Sequence, residues 1–213
     1  MEENIVWKRL ALFGLIGALI YVAHVVVGGL LWPGYNHLQQ PVSDLTATGA
    51  HDRSLLLVFT WAYACCSVIF AVSLLGYFRP LHRRLLTAGL ILFLGVHILS
   101  LAYGFFPEDL PGAAPSFTGT MHIVVTFAIV PFTIVFPFMV WAGLRKLSPW
   151  RGFAVYCFIT GAVIFVAGGA TTVLFARKLS YFGLTERINL GALQLWMFVI
   201  SWRVFFRKEN EPA

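Results

Sequence analysis

The chain has 213 residues, of which 59% are hydrophobic and only 11% charged, and its mean hydropathy is +0.82. These values exclude an ordinary soluble globular domain and point to an all-α integral membrane protein with room for about six spans of roughly 20 residues. The net charge of +6 reports topology and attraction to anionic lipid headgroups, and gives no support to nucleic-acid binding.

In chain order, continuous apolar segments cover residues 10–31, 54–78, 85–106, 119–143, 150–175 and 188–206. Each can cross the hydrocarbon as a helix, and each is about twice the length of a β-barrel strand without its alternation. Residues 1–213 are therefore expected to form a single domain, a six-transmembrane-helix bundle. The first segment follows Lys8 and Arg9 but is too long for a signal-peptide core, so it is expected to stay in the mature protein.

Basic residues set the expected orientation. Lys8 and Arg9, then Arg79, Arg83 and Arg84, then Arg145, Lys146 and Arg151, and finally Arg203, Arg207 and Lys208 flank one side. Arg53, Arg177, Lys178 and Arg187 lie on the other. The positive-inside rule then puts both termini in the cytoplasm of a multi-pass cell-membrane protein.

The first outer connection, "PGYNHLQQPVSDLTATGAHDR", is rich in charge for so apolar a chain. It opens with a turn after Trp32, and Trp32 and Tyr35 suit the interfacial aromatic belt. "PVSDLTATGA" reads as a short interfacial helix stopped by Gly49, a lid that brings Ser43 and Asp44 to the mouth of the bundle or uses them as helix caps. The second outer loop, "FPEDLPGAAPSFTG", carries Glu108 and Asp109. The third, "RKLSYFGLTER", ends in Glu186 and Arg187, a pair suited to binding an anion or a metal, to an internal ion pair, or to anchoring a helix end.

Three histidines fall within spans. A rise of about 1.5 Å per residue puts His24, His97 and His122 roughly 10, 13 and 5 Å below the outer helix ends. With His37 and His51 of the first loop they gather toward one face, whereas His82 belongs to the basic side. Helical spacing groups His24 with Gly14, Gly17, Tyr21 and Gly28, His97 with Phe93, Ser100 and Gly104, and His122 with Thr126 and Thr133. Such small and polar stripes face the bundle interior, so a polar outer-side cavity is expected, although a buried histidine also serves simply to bond a neighbouring helix. Cys65, Cys66 and Cys157 lie in apolar segments and read as small buried hydrophobes.

The motifs "YNHLQQPVSDLTATGA", "FFPEDL", the following His122 and "GLTER" resemble domain-of-unknown-function family 998, small multi-pass membrane proteins of bacteria and archaea. The resemblance runs from Gly34 to Arg187 and the final helix. Its matching positions are Tyr35, His37, Ser43, Asp44, Leu45, Gly49, Phe106, Pro107, Asp109, His122, Glu186 and Arg187. A more distant similarity by residue type is to the alkaline-ceramidase and adiponectin-receptor-like superfamily, which implies a zinc hydrolase with Ser43, Asp44, His24, His97 and His122 in the site. This chain has six spans where that superfamily usually has seven, and it contains no H-x-x-x-H pair.

Three function classes fit these residues. The first is a metal-assisted hydrolase of a lipid amide or ester, with zinc on His24, His97 and His122. Ser43, Asp44 and Glu108 would carry the chemistry, and His37, His51, Asp109, Glu186 and Arg187 would hold the substrate. The second is a non-enzymatic lipid- or small-solute-binding or transport protein. The third is an electron-transfer protein with a b-type haem between His24 and His97, which ranks last because no second histidine pair lies near the other face.

Overall fold

The computed structural model describes residues 2–177 and 179–207; Lys178 and Lys208, counted above for orientation, lie outside them. The described chain is built of helices: α1 (Glu2–Leu10), α2 (Leu12–Leu31), α3 (Arg53–Phe78), α4 (Arg84–Ser100), α5 (Phe117–Leu144), α6 (Arg151–Ala176) and α7 (Phe182–Phe205). Six helical stretches are long and apolar enough to cross a membrane, the first of them running Asn4–Leu31 through α1 and α2.

Helix neighbours follow chain order from α2 to α7, and α7 then packs back on α2, so the spans form a closed ring of antiparallel neighbours with α1 lying against α3. Apolar residues that face inward make the seal. Phe93, Phe136 and Trp196, none of them exposed, pack with ring centroids 5.0 Å apart in each pairing, and Phe70 joins Phe93 at 5.9 Å. Such tilted aromatic contacts add to what burial alone supplies.

The two ends of the ring differ. Lys8, Arg9, Arg79, Arg83, Arg84, Arg145, Lys146, Arg151, Arg203 and Arg207 cluster at one, where Arg203 and Arg207 stack on the buried Trp150 ring at 5.0 and 4.9 Å. The other end carries the two long connections, α2 to α3 and α4 to α5, the short one from α6 to α7 and, among the described basic residues, Arg53, Arg177 and Arg187. It is called the lid end below.

Two boundaries depart from the hydropathy reading. Helix begins at Glu2 because Lys8 and Arg9, which end the apolar run, are good helix formers and sit in the last turn of α1. The last span begins at Phe182 rather than 188, which takes Glu186 and Arg187 inside it. Partners supplied by the lid make that extension possible.

Candidate functional site at the lid end

The first backbone N–H groups of a helix have no partner within it. At α7 the lid provides them: Gly183 N–H donates to the Gln39 carbonyl at 3.3 Å and Leu184 N–H to the Leu38 carbonyl at 3.0 Å. A Cβ on residue 183 would collide with the Gln40 carbonyl, so glycine allows this approach. One turn on, Arg187 donates from Nη1 to the Gln40 and Gly183 carbonyls at 2.7 and 3.0 Å, and from Nη2 to the Tyr35 hydroxyl at 2.6 Å. The Tyr35 hydroxyl donates in turn to the Pro41 carbonyl at 2.5 Å, and burial pushes its phenol up to about 12. Glu186 accepts from the Val42 N–H at 2.6 Å. Glu186 and Arg187 thus form no direct ion pair; they hold the lid, one by an acceptor and one by a fork of donors.

The lid holds less helix than expected. Only Ser43–Thr46 forms a single 3-10 turn. Thr48 instead extends to pair with the second loop, its N–H donating to the Glu108 carbonyl at 2.9 Å, and Gly49 turns the chain with φ +84. Asp44 is not a cap. Its side chain is 1% exposed and points inward, accepting from Gln40 Nε2 at 3.3 Å and bonding to the Glu108 carboxyl. Ser43, half-buried beside it, offsets part of the rise of the Glu108 carboxyl.

Glu108 is therefore the hub. It meets Asp44 and Ser43, and its Oε2 lies 3.7 Å from His122 Nε2. The other ring nitrogen of His122, Nδ1, donates to the Phe106 carbonyl at 2.9 Å, and the Tyr103 ring covers the imidazole at 4.6 Å. That bond leaves the Nε2 lone pair toward Glu108. Burial raises the Asp44 carboxyl, with Arg187 offsetting part of the rise. Glu108 is pushed up to about 9, by burial first and then by the bond to Asp44 and the charges of Asp44 and Glu186. Two carboxyls in contact resist ionising together, which adds at Glu108 to the burial that raises both.

The other expected site residues are placed apart from this pair. Asp109 accepts from Ser116 N–H at 2.8 Å and Oγ at 2.7 Å, bonds that hold its carboxyl below the usual range, and Ser116 in turn caps α5. His51 bonds the adjacent Asp52 on the surface. His37 stands exposed, edge-on to Tyr35 at 5.0 Å, with its pKa lowered by burial and by Arg187. Thr126, expected inward with His122, is exposed and bonds the Tyr103 hydroxyl at 2.9 Å.

The three histidines expected for zinc do not form one group. Among the described residues, no three His, Cys, Asp or Glu side chains stand together so as to hold a metal ion. His122 is engaged at the lid end, whereas His97 lies deeper, 1% exposed, against Phe93 at 4.5 Å and Tyr63 at 6.1 Å. His24, on α2, is buried as well, 7% exposed. The donors present do not fit the ion.

Beneath the lid lies a polar layer that spacing revealed only in part. Tyr63 of α3 accepts from Gln194 Nε2 of α7 at 2.8 Å, and its ring is 5.5 Å from Tyr21 of α2 and 6.1 Å from His97 of α4. Tyr21 OH, His24 Nε2, His97 Nε2 and Gln194 Oε1 are buried with no hydrogen-bond partner. Each such group costs about 1–3 kcal/mol. Tyr63 and Gln194 escaped the sequence reading because each is a lone polar residue in an apolar run.

A six-span integral membrane protein with a buried carboxyl pair under a clamped lid is the class this arrangement defines. The chain belongs to the family described as "Protein of unknown function (DUF998)", whose model matches residues 15–203. No curated protein and no solved structure matches it.

Proposed function

We propose that this protein is a hydrolase of a lipid ester or amide that works by acid–base chemistry at the Asp44–Glu108 pair. The contact of these two buried carboxyls beneath the lid, with His122 Nε2 3.7 Å from Glu108, is the observation that carries the reading. The Asp44 carboxylate takes a proton from water as its oxygen bonds the substrate carbonyl carbon, while Glu108 gives its proton to the carbonyl oxygen. On collapse the hydroxyl returns a proton to Glu108, the C–O or C–N bond breaks, and Asp44 protonates the leaving group. Ser43 and His122 position Glu108. Its side chain, 20% exposed, offers the approach.

Membrane lipids are the substrates such a location favours. The basic cluster opposite the lid supports a cell-membrane topology with both termini cytoplasmic and the carboxyl pair at the outer leaflet.

Release of fatty acid from vesicles containing acylated lipids tests this reading. Asp44→Asn and Glu108→Gln should each lower the rate by about 10²–10⁴-fold with the fold intact. Activity should also fall as pH rises past about 9, where Glu108 loses its proton. Unchanged rates in both variants overturn it. A second reading, binding without chemistry, is favoured by the unpaired polar layer.

A further inference from the structure

The polar layer around Tyr63 is bounded by apolar packing on both sides. Phe93 is in ring contact with His97 at 4.5 Å, and with Phe136 and Trp196 it forms an aromatic floor across the bundle. Toward the lid, Tyr21 packs with Tyr35 and Trp32 against the Val42, Leu45 and Leu56 cluster. The layer thus lies between the aromatic floor and an apolar cluster under the lid.

Its chemistry is specific. His24, His97 and Gln194 are each more than nine-tenths buried and each keeps a side-chain atom without a partner, on α2, α4 and α7. Tyr21 adds a free hydroxyl at the lid side. None of these side chains is a carboxylate, an ammonium or a guanidinium. Donors and acceptors that converge from several helices, surrounded by aromatic rings, recognise a group that exchanges hydrogen bonds without bringing charge into low dielectric.

We propose that this layer is a binding site for a neutral ligand bearing hydroxyl or amide groups. The site stands whether or not the carboxyl pair cleaves what is bound, and its test reads binding alone. Such a group comes from the headgroup of an uncharged lipid or from a free polyol.

Full-length protein in phosphatidylcholine nanodiscs is heated with monoolein, glycerol or oleate. Monoolein at about ten times its Kd should raise Tm by about 3–6 °C, and oleate should not. An equal shift with glycerol assigns recognition to the polyol itself, and its absence assigns it to the lipid. No shift with either neutral probe, or an equal shift with oleate, overturns the proposal. His97→Phe should leave the ligand-free Tm unchanged or higher, since it removes an unpaired polar atom, and should abolish the monoolein shift. Gln194→Leu reads the same loss should His97→Phe fail to fold. A full wild-type shift in the folded variant overturns the assignment.

Discussion

The lid end and the layer beneath it are both polar, yet they use hydrogen bonds differently. At the lid, Arg187, Glu186 and Tyr35 meet backbone groups of residues 40–42, and Asp109 is bonded through Ser116, while Arg187 Nε and Glu108 Oε1 are buried without a partner. A few residues deeper, Tyr21, His24, His97 and Gln194 each keep an unpaired atom. Bonds from side chains to loop backbone hold a loop in place, and the deeper groups make none to the lid. The comparison therefore separates residues that fasten the loops from those that do not, although they look alike in sequence.

The largest effect that would break this contrast is expected at Arg187. Arg187→Met strands the Gln40 and Gly183 carbonyls and the Tyr35 hydroxyl at the lid. The cost should be about 3 kcal/mol, a fall in Tm of roughly 6–12 °C by thermal unfolding in detergent. A loss below about 1 °C would show that the lid is held some other way.

The next effect is one of pH. Burial raises the Glu108 carboxyl, so the folded state holds a proton that the unfolded chain releases near its ordinary value of 4.5. The stability from that neutral carboxyl is whole below about 4.5 and drains as pH rises toward about 9; Asp44, also raised, adds in the same direction. Glu108→Gln should flatten this slope and leave the variant more stable than the parent at alkaline pH. Parallel Tm profiles from pH 5 to about 9 would place the proton elsewhere.

The smallest effect is expected at His51. Its bond to Asp52 joins side chains 58% and 40% exposed, so His51→Ala should shift stability by less than about 0.5 kcal/mol. A larger loss would extend the lid network out to this turn.

Hydropathy made the six spans legible, because each apolar run had to bury its own backbone in a helix. It missed the start of α7, where Glu186 and Arg187 read as a loop until partners from the distant residues 35–42 made them part of a helix. Spacing placed His24 and His97 inward, and both are buried. Spacing could not tell that His122 lies apart from them, because periodicity within one helix says nothing of the distance between helices. The Asp44–Glu108 contact joins two loops with no regular pattern, and only the Thr48 pairing brings them together.

The clamp on the lid also imposes an order on biogenesis. The segment that roofs the site, residues 35–42, is synthesised among the first, while Arg187, Glu186 and the N–H groups that fasten it belong to the last span to enter the bilayer. Until α7 inserts and closes the ring against α2, the Asp44–Glu108 pair has no fixed roof, so a nascent chain stalled before its final helix carries every residue of the pair without the enclosure that tunes it.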